Sequence, residues 1–375
     1  MRTPLLAMML LLAAPASAQE PVALSPRHDG NAMNPLWSPD GLQIAYEVTH
    51  PQERYTELFI LDVATGRERS IRPSLTSSSA GSGGLGGRFF EEGEAKRQVN
   101  HEFAWSARPG VSGLLHAYAS SGNDDEFDLY LSELRSPVGS TPKKEGGAAF
   151  SADAKWLVYC SARTGDGDLY LLQVDDLGRE PTRLTWSPGL DFYATWAPDG
   201  RRLAYAALDD NGAHIRVIDD VDAPRETDRV VVDWKAANLK PSWSPDGKRI
   251  AFFSNHGRED RTRFDIYVVG GDGGKPAKVA ENVVPSERRG PAWTPDGRSL
   301  VAVVADPNRG DPLVIVDVDT HAVRELAVGT VNNSDPVVHD DAATGRWRVA
   351  WVSQGVRSSS EQAWRRVYLQ DIPAP

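Results

Sequence analysis

The chain has 375 residues, of which 52 are acidic and 41 are basic, and its net charge at neutral pH is −11. Because the basic residues are dispersed, this balance excludes the long positive patches that bind nucleic acid or anionic membrane surfaces. Cys160 is the only cysteine, which excludes an intramolecular disulfide, and its apolar neighbours predict a buried side chain rather than a nucleophile.

The first 18 residues predict a secretory signal peptide. Arg2 precedes an apolar run from Leu5 to Ala14, and the small residues 16–18 (Ala-Ser-Ala) follow, which is the order of residue types in such signals. A membrane anchor is the alternative, but the run is shorter than the ~20 residues that span a bilayer. We expect cleavage near Ala18 and a periplasmic or secreted protein without membrane insertion, folded as a single domain over residues 19–375.

A short motif of the form Trp-Ser-Pro-Asp-Gly recurs along the rest of the chain. Clear copies begin at Trp37, Trp196, Trp243 and Trp293, and degenerate copies begin at Trp105, Phe150 and Val338. From the second copy onward the spacings are 45, 46, 47, 50 and 45 residues, and the first interval is 68. A repeat of this length, with four strand signals in each copy, is typical of a β-propeller blade.

The copy that begins at Trp243 shows the predicted blade most clearly. A short strand at 238–244 leads into a Pro-Asp-Gly turn, where proline presets φ and glycine tolerates a positive φ. An apolar strand at 249–254 follows, then an alternating strand at 264–269 and an outer strand at 277–280. A bulky aromatic residue at the same place in each copy predicts a wedge between neighbouring sheets rather than a surface that stacks on ligands.

Seven motif copies predict an all-β fold, a seven-bladed β-propeller. The last copy ends after three strands, and residues 22–25 (Val-Ala-Leu-Ser) resemble the outer strand 182–185 (Thr-Arg-Leu-Thr) at a similar distance before a tryptophan. We therefore expect the N-terminal strand to pair with the last blade at 367–371 and to close the ring, which removes an exposed sheet edge. The alternative is a six-bladed ring with a flanking pair of strands.

The long first interval contains a Gly/Ser-rich insertion at residues 74–99. Residues 77–87 carry little apolar surface to offset the entropy of ordering, whereas Phe89 and Phe90 could dock against another surface. Because the insertion lies between an outer strand and the next inner strand, one interpretation is a mobile lid over the open end of the channel. The other interpretation is a tolerated surface loop without a role.

The motif and its surroundings resemble the repeats of a known family. Residues 241–252 match the pattern Pro-x-Trp-Ser-Pro-Asp-Gly-x-x-Ile-Ala-Phe, and Ile266-Tyr267 follow after a polar loop. This pattern is similar to the propeller repeats of TolB, the periplasmic protein of the Tol–Pal system, which implies a propeller fold and a binding role. TolB has six blades and a separate α/β domain ahead of them, and neither feature is expected here. Similar repeats occur in the propellers of prolyl-oligopeptidase-type peptidases and in some polysaccharide lyases.

Three sequence signatures of chemistry are missing from the sequence. There is no Gly-x-Ser-x-Gly nucleophile elbow, which excludes a peptidase of that type. The eight histidines form no His-Glu-x-x-His pair of a zinc hydrolase. The glycine-rich residues 81–87 are not followed by Lys-Ser or Lys-Thr, which argues against a phosphate-binding loop.

The connectors that lead into the inner strands are expected to meet at one face around the central channel, where propellers commonly bind ligands. Asn100, Asn238 and Asn333 all lie five residues before their motif, which indicates equivalent places around the ring. Their alternative role is to cap the turn into the inner strand. The predicted ligand-binding residues at this face are Asn34, Asn100, His101, Glu102, Asp191, Tyr193, Asn238, Lys240, Arg288, Arg289, Asn333 and Asp335.

Three functional hypotheses follow. A complete repeat array without a catalytic signature favours a non-catalytic module that binds a protein or peptide, with cell-envelope components as candidates, and we expect a monomer without a cofactor. The second hypothesis is a polysaccharide lyase or hydrolase at the channel face, with a divalent cation as an option. Its candidate residues are His101, Glu102, Tyr193 and Arg288, of which at least three must converge in one pocket. The third is a purely structural subunit, which predicts a channel lined mainly by small or apolar groups.

Overall fold

A computed structural model describes residues 20–374, apart from residues 53, 72–98, 111–112, 122–126, 133, 135–136, 139–140, 142, 307, 327–328 and 356–363. The predicted signal peptide at 1–18 and nearly all of the predicted insertion at 74–99 lie outside the described residues. Within the described part, no helix has the length and apolar character that crossing a membrane requires.

The described residues form seven antiparallel sheets, which are the blades of a β-propeller. The N-terminal strand β1 (Val22–Ala23) belongs to the last blade. The first blade contains β2 (Asn31–Trp37), β3 (Gln43–His50), β4 (Tyr55–Asp62) and β5 (Glu68–Ile71). The second contains β6 (Asn100–Gly110), β7 (Gly113–Ser120) and β8 (Asp128–Leu131). The third contains β9 (Glu145–Phe150), β10 (Trp156–Ser161), β11 (Asp168–Gln173) and β12 (Thr182–Arg183).

The remaining four blades repeat the same order from the channel outward. The fourth contains β13 (Asp191–Trp196), β14 (Leu203–Asp209), β15 (Gly212–Ile218), the short helix α1 (Pro224–Thr227) and β16 (Asp228–Val232). The fifth contains β17 (Asn238–Trp243), β18 (Arg249–Ser254), β19 (Phe264–Gly270) and β20 (Gly273–Val283). The sixth contains β21 (Ala292–Trp293), β22 (Ser299–Val303), β23 (Leu313–Asp317) and β24 (Val323–Glu325). The seventh contains β25 (Ser334–Asp341), β26 (Arg346–Ser353), β27 (Arg366–Pro373) and, at its outer edge, β1.

The ring closes where the two ends of the chain pair. Val22 lies opposite Leu369 and Ala23 lies opposite Tyr368 in the antiparallel register of β1 and β27. The next residue, Leu24, donates its N–H to the carbonyl of Val367 at 2.8 Å. The predicted seven-bladed ring with N-terminal closure is therefore confirmed, and the six-bladed alternative is wrong.

The closing segment forms the same hydrogen bond as an internal outer strand. In the third blade, the N–H of Leu169 donates to Oγ1 of Thr185 at 3.0 Å. In the seventh blade, the N–H of Val367 donates to Oγ of Ser25, also at 3.0 Å. The two matched stretches of sequence are therefore equivalent parts of their blades.

The hydrophobic core of the described residues is divided among the interfaces between neighbouring blades. In β3, Ala45 packs towards the second blade, whereas Tyr46 packs towards the seventh. In β14, Tyr205 packs towards the third blade and Ala204 towards the fifth. A strand that is buried on both faces needs apolar residues without alternation, which explains the short apolar run after each Pro-Asp-Gly turn.

The motif tryptophans Trp105 and Trp293 pack between blades and donate a hydrogen bond to the preceding blade. The indole N–H of Trp105 donates to the carbonyl of Leu36 in the first blade at 3.2 Å. That of Trp293 donates to the carbonyl of Ser242 in the fifth blade at 3.1 Å. The predicted wedge role is confirmed for these residues, because the large ring and its one hydrogen-bond donor are both used within the protein.

A second contact between consecutive blades was missed by the sequence analysis. The guanidinium carbon of Arg202, in the fourth blade, lies 4.7 Å from the ring centroid of Trp243 in the fifth. The same guanidinium donates to the carbonyl of Gly247 at 2.8 Å. Arg249 repeats the contact on Trp293 of the sixth blade, at 5.4 Å. An arginine two residues after the Asp-Gly turn thus joins its blade to the next by a cation–π contact.

Candidate functional site

The inner strands of the blades surround a central cavity of about 970 Å³. Half of the predicted ligand-binding residues line this cavity, namely His101, Glu102, Tyr193, Lys240, Arg288 and Arg289. The other half are almost fully buried in the walls, namely Asn34, Asn100, Asp191, Asn238, Asn333 and Asp335. The charged and aromatic residues among the predicted twelve therefore meet at the cavity. The four asparagines and the two aspartates are instead buried inside the blades.

A β-bulge bends the inner strand at the same place in six blades of the described chain. At this bulge the residue three before the motif anchor has a left-handed backbone. These residues are Asn34, Glu102, Gly147, Tyr193, Lys240 and Asp335, with φ between 51° and 64°. Left-handed geometry is unfavourable for side chains other than glycine and is commonly retained at functional sites. Because a bulge changes the direction of a side chain, the side chains at these six equivalent positions point differently from those of a regular strand.

An ion pair crosses the channel. Nη1 of Arg288, just before the inner strand of the sixth blade, donates to Oε1 of Glu102 in the second blade at 3.0 Å. The other carboxylate oxygen of Glu102 accepts the N–H of Gly147, in the third blade, at 2.5 Å. Nδ1 of His101 lies 3.6 Å from Oε1 of Glu102. Glu102 therefore connects three blades, two of which lie on opposite sides of the ring.

Glu47 is a buried partner of this network that the sequence analysis missed. It accepts Nδ2 of Asn34 and the N–H of Glu102, each at 3.0 Å. Burial raises the pKa of Glu47, and the positive charges of Arg288 and Arg289 oppose that shift. The sequence could have indicated this role, because Glu47 is an acidic residue in the centre of the apolar strand β3. A buried carboxylate needs a charged or hydrogen-bonding partner.

Arg289 is the buried cation of the network. Its guanidinium extends from the sixth blade to the first, where Nη1 donates to the carbonyl of Pro35 at 2.8 Å and to that of Asn34 at 3.3 Å. Burial lowers the pKa of Arg289 to about 10, while the carboxylates of Glu47 and Asp335 oppose the shift. The side chain therefore stays charged at neutral pH and joins two blades that are not neighbours.

Lys240 and Tyr193 form the adjoining part of the wall. Nζ of Lys240 donates to the carbonyl of Ser286 at 2.5 Å and lies 5.2 Å from the ring centroid of Tyr193. Burial lowers the pKa of Lys240 and raises that of Tyr193. Asp335 lies nearby in the seventh blade and accepts the N–H of Glu287 at 2.8 Å. The wall thus presents a cation against an aromatic face.

Asn238 and Asn333 cap the connectors into their blades. The oxygen of Asn238 accepts Oγ of Ser254, and its nitrogen donates to the carbonyl of Ala213, both at 2.7 Å. The oxygen of Asn333 accepts the indole N–H of Trp351 at 3.1 Å. Asn238 and Asn333 therefore have the alternative role, that of caps, and their amide atoms form hydrogen bonds inside the blades.

Asp191 and Asn100 occupy the same position in their blades, but their surroundings differ. Both carboxylate oxygens of Asp191 accept Oγ of Ser187, at 2.9 Å. Burial raises the pKa of Asp191 to about 6, and hydrogen bonds from Thr185 and Ser187 oppose the shift. The side-chain oxygen of Asn100 is buried and has no hydrogen-bond partner among the described residues.

Burial moves the pKa values of two titratable groups of the cavity, His101 and Cys160, away from neutral pH. Burial lowers the pKa of His101 to about 4, although the nearby Glu102 opposes the shift. Cys160 is half-buried at the cavity wall rather than fully buried as predicted, and desolvation raises the pKa of its thiol to about 12. A general acid or base works best with a pKa near the operating pH, and a cysteine reacts as the thiolate. In the part of the chain that the structure describes, no three His, Cys, Asp or Glu side chains are grouped to hold a metal ion.

Several polar atoms of the residues that line the cavity form no hydrogen bond with any described residue, and two of them belong to the charged part of the wall. Nδ1 of His101 and Nε of Arg288 are buried and form no hydrogen bond with any described residue. Aromatic rings lie beside them: Phe127 is 4.4 Å from the His101 ring, and Phe192 is 4.6 Å from that of Tyr193. Buried polar groups are normally paired, and ligand pockets combine apolar walls with a few polar groups. This part of the cavity, defined by these five residues, is here called the channel mouth.

The rest of the channel is more apolar. There the inner strands contribute small or apolar residues, among them Leu36, Ala104, Ala149, Pro241, Pro291 and Val337. A purely structural subunit predicts such a lining throughout, and the charged channel mouth departs from that expectation. The cavity therefore has a polar zone and an adjoining apolar zone.

Comparisons with known proteins bear on the fold. No protein-family profile matches the chain, and no curated protein matches its sequence. The oligogalacturonate lyase of Vibrio parahaemolyticus is 12% identical, over 94% of this chain and 93% of that chain, with a TM-score of 0.60. A structure from a study of two prolyl endopeptidases is 13% identical, over 86% of this chain and 46% of that chain, with a TM-score of 0.52.

A TolB structure is also similar to this chain. The putative TolB of Agrobacterium tumefaciens is 17% identical over 92% of both chains, with a TM-score of 0.45. At identities this low, similarity extends to the fold alone. The fold and the channel together define the protein as a seven-bladed β-propeller with a charged central cavity.

Proposed function

We propose that this protein is a non-catalytic, periplasmic or secreted propeller that binds a peptide or protein segment at its channel mouth, a role similar to that of TolB. The observation that carries the proposal is the juxtaposition of aromatic faces and unused polar atoms in that wall. The volume of about 970 Å³ supports it, because ligand pockets commonly measure ~300–1,000 Å³.

The electrostatics of the cavity support binding rather than catalysis. The lowered pKa of His101 keeps its imidazole neutral at neutral pH, and the raised pKa of Cys160 keeps its thiol protonated. Glu102 and Arg288 neutralise each other. The net charge of −11 argues against nucleic acid as the partner. The proposed partner is accordingly a cell-envelope protein or peptide, bound by a monomer that uses no cofactor.

A peptide-binding assay tests the proposal. Fluorescence anisotropy of a labelled random hexapeptide library measures binding to the wild type and to Tyr193→Ala, which removes an aromatic ring of the channel mouth. We expect the variant to bind at least ~5-fold more weakly, because buried aromatic anchors contribute strongly at interfaces. Leu42→Ala is the matched control, since Leu42 is 63% exposed on a Pro-Asp-Gly turn at the far end of an inner strand. Equal affinities of the two variants would exclude the channel mouth as the site.

A polysaccharide lyase or hydrolase is the second candidate. It is favoured by the four candidate residues that line one cavity, His101, Glu102, Tyr193 and Arg288, which meets the requirement for at least three of them. A neutral imidazole can accept a proton, and a guanidinium can stabilise developing negative charge. The described residues contain no cluster of three His, Cys, Asp or Glu side chains that could hold a metal ion. A divalent cation in this mechanism would therefore need other ligands, such as the substrate.

Product formation separates this candidate from the first. Trigalacturonate and other acidic oligosaccharides are incubated with the protein in the presence of Ca²⁺, Mn²⁺ or a chelator. Lyase activity gives an unsaturated product that absorbs in the ultraviolet, and hydrolysis gives new reducing ends. If the enzyme hypothesis holds, His101→Ala loses activity while Leu42→Ala keeps it. No product under any condition rejects the candidate.

A further inference from the structure

We infer that the channel mouth recognises a carboxylate group of the bound peptide, and that Arg288 is the residue that pairs with it. The inference rests on the proposed function and names the chemistry of the ligand. Arginine offers five N–H donors in a planar fork, which suits a carboxylate better than any other common peptide group.

The hydrogen bonds of Arg288 leave part of this fork unused. Only Nη1 has a carboxylate contact, a single bond of 3.0 Å to Glu102. The Nε edge is buried and has no hydrogen-bond partner among the described residues. A buried N–H without a partner is costly, so an acceptor that enters the cavity gains by binding there. A carboxylate can accept from Nε and from a terminal nitrogen of the same guanidinium at once.

The side chain of Glu102 already gives Arg288 one carboxylate partner within the protein. It extends across the ring from the second blade and reaches Arg288 at its Oε1, while Oε2 is held by the N–H of Gly147. The carboxylate of Glu102 therefore shows what chemistry the guanidinium accepts at this point. It also competes with an incoming carboxylate for the positive charge of Arg288.

Lys240 adds a second positive charge to the same cavity. Its Nζ bonds to the carbonyl of Ser286, and no carboxylate among the described residues forms an ion pair with it. The ammonium lies 5.2 Å from the ring of Tyr193, which also packs on Phe192. A ligand with one negative end and an apolar body fits these surroundings, because the adjoining zone of the channel is apolar.

The observations favour a peptide over an acidic oligosaccharide as the source of the carboxylate. A uronate brings several hydroxyl groups that need polar partners. Two of the four wall asparagines, Asn238 and Asn333, are engaged inside the blades and cannot supply them. The apolar zone instead suits aliphatic or aromatic side chains of a peptide.

Paired peptide libraries test the inference. Random hexapeptides are prepared with a free C-terminal carboxylate, with a C-terminal carboxamide, and as the carboxamide with one internal aspartate. For the wild type, we expect the carboxamide library to bind about tenfold more weakly than the free acid, because a hydrogen bond to a charged group contributes roughly that factor. Recovery of affinity by the internal aspartate identifies a side-chain carboxylate, and its absence identifies the chain terminus as the ligand.

Two variants with opposite expected effects sharpen the test. Arg288→Gln should abolish the preference for the free acid. Glu102→Gln keeps an acceptor for Gly147 but removes the competing charge, so it should strengthen binding of the free acid and leave the carboxamide unchanged. Arg201→Gln is the matched control, because Arg201 is 63% exposed and pairs with Asp220 on the far face. Thermal unfolding verifies that each variant is folded.

The possible results distinguish the two proposals. Equal affinity of the wild type for free acid and carboxamide overturns the carboxylate inference and leaves peptide binding intact. Binding of neither library overturns both. If trigalacturonate binds in an Arg288-dependent manner while no peptide does, the carboxylate belongs to a sugar and the peptide inference is wrong.

Discussion

The closure of the ring depends on one buried hydroxyl. Ser25 is fully buried, and its Oγ accepts the N–H of Val367, which is also fully buried. Replacing Ser25 with alanine removes the acceptor without exposing that N–H to water. A buried donor left unpaired costs about 1–3 kcal/mol. We therefore expect Ser25→Ala to lower the free energy of unfolding by ~2 kcal/mol.

A deletion of residues 19–25 should have a larger effect. It removes β1 from the edge of β27 and the bonds of Leu24 and Ser25 to Val367 and Arg366. The exposed edge is then free to pair with another chain. We expect a loss of stability at least twice that of Ser25→Ala, together with dimers or larger species in size-exclusion chromatography with light scattering.

Scanning calorimetry measures both effects. A loss of ~2 kcal/mol corresponds to a fall in the melting midpoint of roughly 2–3 °C for a domain of this size. Ser70→Ala is the matched control, since Ser70 is exposed on the outer strand β5 of the first blade. A midpoint of Ser25→Ala that coincides with that of Ser70→Ala would refute the closure argument.

Three further predictions concern buried groups. Arg289→Met should lower the free energy of unfolding by about 1–3 kcal/mol, because it removes the donor to the carbonyls of Asn34 and Pro35 and one of the two cations that offset the charge of buried Glu47, and adding Glu47→Gln should restore part of the loss in chemical denaturation. The pKa of Asp191 is about 6 in the fold against 3.8 unperturbed, so its stabilising effect is complete below about pH 4 and is lost as the pH rises through 6. Over this pH range the free energy of unfolding of Asp191→Asn should therefore rise relative to that of the wild type, by up to ~3 kcal/mol. A difference in free energy that does not change with pH would contradict the raised pKa of Asp191. The raised pKa of Cys160, about 12, predicts slow alkylation by iodoacetamide in the native state and rapid alkylation after unfolding, as mass spectrometry can follow.

The fold could be predicted from the sequence because its information is local and periodic. Each blade repeats an aromatic anchor, a turn and an apolar strand within about 45–50 residues, and each of these signals acts through neighbouring residues. The closing strand was predictable for the same reason, since residues 22–25 repeat the pattern of an internal outer strand. The wedge role of Trp105 and Trp293 follows from their place in that repeat.

The candidate site was only partly predictable, because a bulge changes which side chains reach the channel. Asn238 and Asn333 share the spacing of Asn100, yet their amides bind inside the blades. Period-two alternation does not continue through the left-handed residue of the bulge, so spacing from the motif cannot assign the channel-facing side. Arg288 has the same spacing but reaches the cavity, because β21 begins only at Ala292 and Arg288 precedes the regular strand.

The sequence by itself determined the blades, their number and the strand that closes them, since these depend on burial patterns within single repeats. Only the tertiary structure decided which charges meet. Arg288 and Glu102 are 186 residues apart in the chain, and Glu47 joins them from a second strand rather than from a connector. Such contacts depend on the curvature of the whole ring, which brings distant blades across one cavity and which no local pattern of residues encodes.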